Sequence, residues 1–288
     1  VLKNKKSFPL TRRSLLGAAS SLLASWSVTR AFAGERPDGG DDQATATGSG
    51  SIAFDDPSRP GTVEVRLPWG EIAVRGHDGD KVEVDMRASF DPVAGEDDDG
   101  APRLSLEQAD GRIRVWVSPP TAGGFWSADL ELRVPRGTSV ALGMERGGNI
   151  RIADLAGRVE VDSENGSVAL HRVSGGARVD CRNGEIEAHF EDLSGGDPIR
   201  LATGNGKVDV SLPAAARADL SLRSPNGGAF SDFEIDKESG DLEVERPIRE
   251  DLYRKYPDGG HFDGSLNGGG RPIELATDNG PILIRRLG

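Results

Sequence analysis

Four histidines (His77, His171, His189 and His261) and a single cysteine, Cys181, are the metal ligands and nucleophiles this 288-residue chain most readily offers. None of the histidines sits in an H-x-H or H-E-x-x-H motif, the kind of spacing that brings two imidazoles to one ion. His171 and His189 share something else: each stands six residues after the Asn of an Asn-Gly pair. If successive pairs stack, the two rings become outward neighbours roughly 5 Å apart, the spacing of adjacent strands. Two neutral imidazoles at that distance could share a Zn²⁺ or Cu²⁺, with Glu187 or Glu191 beside them. The same column continues to Ser211 and stops, so a solvated face without a resident metal or other cofactor is the simpler expectation.

Carboxylates give the next chemistry to consider. Glycoside hydrolysis needs two of them flanking the scissile bond. Asp162 and Asp180 both lie three residues before an Asn-Gly pair, but the next members of that column are Ala202 and Arg223. With Arg178, Arg182 and Arg200 close by, a salt-bridged surface is expected. The loops "GEDDDG" (95–100) and "PDGGHFDG" (257–264) are rich in oxygen donors and could hold Ca²⁺. Neither follows the EF-hand or the Gly-Gly-x-Gly-x-Asp pattern, and both read as acidic surface loops. No nucleophile elbow, phosphate loop or dinucleotide fingerprint occurs. Cys181 falls in an inward column and reads as a packed thiol. The expectation is a non-catalytic protein, with a glycan-active or metal-dependent enzyme as the alternative.

What positions these residues is a repeat. Setting the Asn of Asn165-Gly166, Asn183-Gly184, Asn205-Gly206, Asn226-Gly227 and Asn279-Gly280 at a common origin aligns their surroundings. Six before come Val159, Ala177, Ile199, Leu220 and Ile273; four before come Val161, Val179, Leu201, Leu222 and Leu275. Two before, the residue is always small: Ser163, Cys181, Thr203, Ser224 and Thr277. After the corner, Val168, Ile186, Val208 and Ile282 repeat in four of the five copies. Trp69-Gly70 and Asp110-Gly111 are flanked in the same way. Alternation with period two puts one set of residues on one face of a strand, and Gly after Asn permits a tight corner. Second corners end at Gly157, Gly176 and Gly196, giving units of about 20 residues.

The prediction is an all-β, single-domain fold: a parallel β-solenoid or β-helix-like repeat, in which like residues stack on like. The alternative is an antiparallel hairpin stack or sandwich, since Asn-Gly is also the strongest short-range hairpin signal. Two stretches, "LATGNGKVDV" from Leu201 and "LATDNGPILI" from Leu275, are so alike that they read as two rungs of one ladder. The repeat occupies 52–288, with 230–263 a non-repeat insert or edge cap in which Ile248 to Tyr256 is expected to form a short helix.

The opening "VEVRLPWGEIAVRGHDGDKVEV", the recurring Asn-Gly rungs and the close "GSLNGGGRPIELATDNGPILI" resemble the bacterial putative-adhesin family, a domain of unknown function, over most of the chain after residue 60. The resemblance implies a β-solenoid-like exported or envelope protein without an established activity, and it brings no catalytic residues.

Residues 1–33 have the layout of a signal peptide: a basic start, an apolar stretch and an A-x-A-like cleavage site after Ala33. Thr11, Arg12, Arg13, Leu15 and Leu16 match the twin-arginine export pattern, with Gly17 where a Lys is usual. Residues 34–51, rich in Gly, Asp, Thr and Ser, read as a flexible leader. Residues 1–33 hold six basic and no acidic residues; without them the formal charge moves from −12 to −18. Such a surface repels phosphate backbones, which excludes nucleic acid as a partner. A glycan or protein ligand in the periplasm, cell envelope or extracellular space is expected, and the sequence leaves the oligomeric state open.

Overall fold

A computed structural model of the chain describes residues 20–22, 25–29, 44–56, 59, 61–91, 100–121, 123–193, 195–245, 248 and 260–287. Among them are 23 β-strands and no α-helix. Thr11, Arg12, Arg13, Leu15, Leu16 and Ala33 of the expected export signal lie outside the described residues, as do 34–43 of the leader and all but Ile248 of the expected helix.

The strands form two facing sheets, here called A and B. In the centre, each chain segment contributes one strand to A, turns at a Gly corner and contributes the next strand to B. These rungs are β9 (Ser139–Gly147) with β10 (Ile150–Leu155), β11 (Val159–Asn165) with β12 (Val168–Val173), and β13 (Ala177–Asn183) with β14 (Ile186–Phe190). They continue as β15 (Ile199–Asn205) with β16 (Val208–Leu212), β17 (Ala218–Arg223) with β18 (Ala229–Ser231), and β22 (Arg271–Asn279) with β23 (Ile282–Arg286). The long β4 (Thr62–His77) serves both sheets, its first half in A and its second in B, and β7 (Arg112–Ser118) with β8 (Trp126–Pro135) makes the rung beside it.

All these neighbours pair in parallel. Sheet A runs β7-β4-β9-β11-β13-β15-β22-β17. Sheet B runs β8-β4-β10-β12-β14-β16-β23-β18. The spatial order therefore departs from chain order at two places: β7–β8 lies on the far side of β4 from β9–β10, and the last rung, β22–β23, lies between β15–β16 and β17–β18. The twin stretches at Leu201 and Leu275 are direct neighbours, with Leu201 opposite Leu275, Ala202 opposite Ala276 and Thr203 opposite Thr277. Arg271 holds the start of this inserted rung. It is buried, and its guanidinium donates to the carbonyls of Asp197, Ser174 and Gly175 at the second corners of earlier rungs.

The parallel centre ends in antiparallel strands. At one end, β5 (Lys81–Phe90), β3 (Ala44–Ala53) and β2 (Ser25–Thr29) extend sheet B, while β6 (Arg103–Ala109) and β1 (Ser20–Leu22) extend sheet A. At the other end, β21 (His261–Leu266) and β19 (Ile235–Gly240) pair antiparallel on sheet A, and the two-residue β20 (Val244–Glu245) lies parallel to β18 on sheet B. The fold is thus all-β, mixed and mostly parallel, with both expected pairing modes present in different places.

The inward columns are continuous. Val65, Leu142, Val161, Val179, Leu201, Leu275 and Leu222 follow one another across sheet A, all buried. They meet Ile152, Leu170, Ala188, Val210 and Ile284 of sheet B, also buried. Burial of one such side chain stabilises the stack by about 1.5–3 kcal/mol before conformational entropy is subtracted.

Two expectations need correction. Asp110-Gly111 is not a rung corner but the turn of an antiparallel β6–β7 hairpin. Both residues have positive φ, 52° and 72°, the backbone of a type I′ turn whose twist suits paired antiparallel strands. Residues 44–51, expected in a flexible leader, belong to β3, which pairs with β5 along its whole length. Its "ATATGSGSIA" alternates residues too small to signal a buried strand by hydrophobicity.

Candidate functional site

The Asn-Gly corners bring the five asparagines into a single ladder. The side-chain amide of Asn183 donates to Asn165 Oδ1 at 2.9 Å, Asn205 to Asn183 at 2.6 Å, Asn279 to Asn205 at 2.7 Å and Asn226 to Asn279 at 3.1 Å. Beside them the corner glycines approach one another so closely that a Cβ on Gly184 would lie 2.0 Å from the Gly166 carbonyl oxygen, and one on Gly280 2.1 Å from that of Gly206. The small-residue column supplies donors to the same carbonyls. Thr203 Oγ1 donates to Gly184 O and Thr277 Oγ1 to Gly206 O, both at 2.8 Å, and Ser224 Oγ donates to Gly280 O at 3.0 Å. Cys181 Sγ reaches Gly166 O at 3.4 Å, and burial pushes its thiol pKa up. Thus Asn165, Gly166, Asn183, Gly184, Asn205, Gly206, Asn226, Gly227, Asn279 and Gly280 are structural parts that fix how the outer faces line up.

On the outer face of sheet A this register produces one column across the rungs: Arg66, Gly143, Asp162, Asp180, Ala202, Ala276 and Arg223. Gly143, Ala202 and Ala276 leave room above the sheet, and a cleft of about 560 Å³ opens over the column. Arg66 and Arg223 stand towards its ends, and Asp162 and Asp180 in its middle. Trp116, 40% exposed, lies one residue past Val115, the partner of Val65, and so sits on the outward phase next to Arg66.

The charges around the cleft are tied together. Arg178 meets Asp180 at 2.8 Å, Arg182 meets Glu164 at 2.9 Å, and Arg200 lies 3.9 Å from Asp180 while both its contacts to Glu274 are 2.6 Å. Asp162 and Asp180 hang from adjacent strands of one face, side by side and not across a gap. The arrangement can hold a polar ligand between fixed charges, with an exposed indole on the next strand outside the cleft. It does not set two acids on opposite sides of a bond.

Sheet B carries the histidine pair. His171 and His189 are register partners with ring centroids 5.0 Å apart. Arg172 places Nη1 2.9 Å from His171 Nδ1, and His189 Nε2 is 3.2 Å from Glu187. Among the described residues no group of three or more His, Cys, Asp or Glu converges as a metal site. The neighbouring backbone explains how Arg172 reaches the imidazole: Arg172 has a φ of 53° at a register shift in β12. In the preceding rung Asp154, with φ 60°, accepts from Arg172 at 2.6 Å and from Arg75 at 3.0 Å. Those guanidiniums, Arg172 foremost, hold the Asp154 carboxyl below the usual carboxylate range. Of the proposed calcium loops, 95–99 and 257–259 lie outside the described residues. In the second loop, Asp263 is paired with His261 at 2.8 Å.

Sequence reasoning missed Trp116 and Arg66. The signal was present for the first: in "RIRVWVS" the tryptophan falls on the polar phase of the alternation, where an aromatic side chain has no core to fill.

No family model matches the chain, and no curated protein matches it. Among solved structures it is similar to a putative cell adhesion protein from Clostridium sporogenes ATCC 15579, at 10% identity and a TM-score of 0.41, over 83% of this chain and 99% of the other. It is also similar to a putative adhesin from Bacteroides fragilis NCTC 9343, at 11% identity and a TM-score of 0.28, over 84% of this chain and 97% of the other. Likeness of this degree says nothing of ligand or chemistry.

Proposed function

We propose that this chain is an exported binding or scaffold protein of the cell envelope or extracellular space, built as a β-solenoid whose coils are the rungs described above. Its ligand is a glycan or a protein segment lying along the outer face of sheet A. The observation that carries this reading is the registered column from Arg66 to Arg223, with its cleft, its paired charges and the exposed Trp116 beside it. Aromatic faces and fixed polar groups are what such recognition uses. The twin-arginine pattern of residues 11–16 and the sequence resemblance to the putative-adhesin family support it. The rival, a glycan-active enzyme, would use Asp162 and Asp180, which stand on neighbouring strands of one face.

The test is a screen of the exported protein against glycan arrays and envelope fractions, with product release assayed on every ligand bound. Arg66→Ala and Trp116→Ala are expected to weaken binding about tenfold or more each, corresponding to about 1.4 kcal/mol, and no product is expected. Product release that disappears in Asp180→Asn would replace the binding reading with the enzymatic one.

A further inference from the structure

We propose that β17–β18, the last rung of the parallel stack, is fastened at both ends of β17 by asparagines that deamidate spontaneously in the folded protein, and that their conversion loosens this rung. The chain contains six Asn-Gly pairs: the five of the corners, and Asn267-Gly268 between β21 and β22. An asparagine followed by glycine is open to attack on its own carboxamide, because glycine has no side chain to shield the backbone nitrogen. The reaction needs that nitrogen free of a hydrogen bond and the carboxamide free to turn towards it.

The stack sorts the six pairs. At three corners the glycine N–H is committed to the next rung: Gly166 donates to Asn183 O, Gly184 to Asn205 O and Gly206 to Asn279 O, each at 2.9 Å. The asparagines of those corners, Asn165, Asn183 and Asn205, each donate through Nδ2 and accept at Oδ1. Gly227 lies in the last corner and Gly268 in a loop, so neither has a further Asn carbonyl beyond it. Among the described residues their N–H groups, like that of Gly280, meet no acceptor at hydrogen-bond geometry. Asn226 and Asn267 are exposed, and among the described residues their carboxamides donate but accept nothing. Asn279 differs from them: its Oδ1 accepts from Asn226 and its Nδ2 donates to Asn205, so its carboxamide stays fixed while Asn226 is intact.

In the reaction, the Gly227 nitrogen gives its proton to solvent and attacks Asn226 Cγ. The new C–N bond closes a succinimide ring, the Cγ–Nδ2 bond breaks, and ammonia leaves with a proton from water. Water then opens the ring to an aspartyl or isoaspartyl residue. Asn267 follows the same course through the Gly268 nitrogen. Each conversion exchanges a donor for a carboxylate, and each donor holds one end of β17. Asn226 Nδ2 donates to Asp278 O and Asn279 Oδ1, both at 3.1 Å, at the corner. Asn267 Nδ2 donates to Ala216 O at 2.7 Å, just before the strand begins. A carboxylate at either place faces acceptors only, which leaves those oxygens unpaired. At 226 the new charge also lies beside Asp278, the ion-pair partner of Arg223 at the end of the cleft.

The test is peptide mapping by mass spectrometry of the whole chain held in mildly alkaline buffer, folded and in denaturant. In denaturant the six pairs are expected to convert at comparable rates. In the folded protein Asn226 and Asn267 are expected to convert about tenfold or more faster than Asn165, Asn183 and Asn205, whose reaction waits for local opening of the stack. A folded-state rate at either asparagine no higher than at the three inner corners overturns the proposal. The loosening is read separately on the double variant Asn226→Asp, Asn267→Asp. Asp tolerates the positive φ of 51° at 267, so the variant keeps that backbone. Amide hydrogen exchange in β17 is expected to quicken about tenfold relative to the parent, with exchange in β11 unchanged. Unchanged exchange in β17, or equal quickening in β11, overturns the fastening role of the two carboxamides.

Discussion

Individual side chains in this protein are chosen by what the neighbouring rung offers. Thr203 is buried, and its hydroxyl satisfies the Gly184 carbonyl at a corner where backbone packs on backbone. Thr203→Val keeps the shape and removes the donor, so it is expected to lower stability by about 1 kcal/mol in denaturant melts. Ser163 heads the same column, yet its buried Oγ donates to no corner carbonyl. Ser163→Ala is therefore expected to be neutral or slightly stabilising, and equal losses at both sites would refute the donor role of the column. Asp154 makes a pH-dependent prediction. Its folded pKa is lowered, so its contribution is present above the ordinary carboxylate range and is lost as pH falls through the folded value. Asn tolerates positive φ, so Asp154→Asn keeps the backbone and removes only the charge. The variant should melt below the parent at pH 7, and the gap should narrow steadily with acid. A gap unchanged from pH 7 to pH 2 would rule the ion-pair account out.

At the scale of elements, the corners were legible in the sequence because Asn, Gly, the small donor and the apolar pair recur at equal offsets. Their physical basis was only half legible. Positive φ was anticipated, but the stronger constraint is the approach of one corner to the next, which no single rung reveals. Gly184→Ala would drive a Cβ to 2.0 Å from a backbone oxygen, whereas a Cβ on Gly196 meets nothing within 4 Å. The first change is expected to cost about 3 kcal/mol or more and to lower Tm by roughly 6 °C or more. The second is expected to leave Tm nearly unchanged. Similar effects at the two positions would contradict the stacked-corner geometry. The Asp110-Gly111 turn shows how far a dipeptide can be trusted: the sequence flanks match a rung, but two consecutive positive φ values make a hairpin. β3 stayed hidden because Ala, Thr, Gly and Ser give a strand no hydrophobic contrast. For the site, the outward column could be written down from the repeat, but the cleft depends on which members are small and which neighbours are ion-paired.

For the whole molecule, the order of rungs in space is the feature on which fold and site together rest. Periodicity finds rungs but not their neighbours, and a separation of 74 residues gave no hint that Leu275 lies against Leu201. Inserting β22–β23 between β15–β16 and β17–β18 moves Arg223 one rung away from Ala202 and lengthens the outer face of sheet A. The cleft, its charge order and the position of Arg223 at its end all follow from that insertion. The most direct measurement is oxidative cross-linking in a Cys181→Ser background, comparing Ala202→Cys with Ala276→Cys against Ala202→Cys with Arg223→Cys. Rapid bond formation in the first pair and little in the second is the predicted result. A fast 202–223 bond with no 202–276 bond would mean that the rungs follow chain order, and the proposed binding face would be wrong.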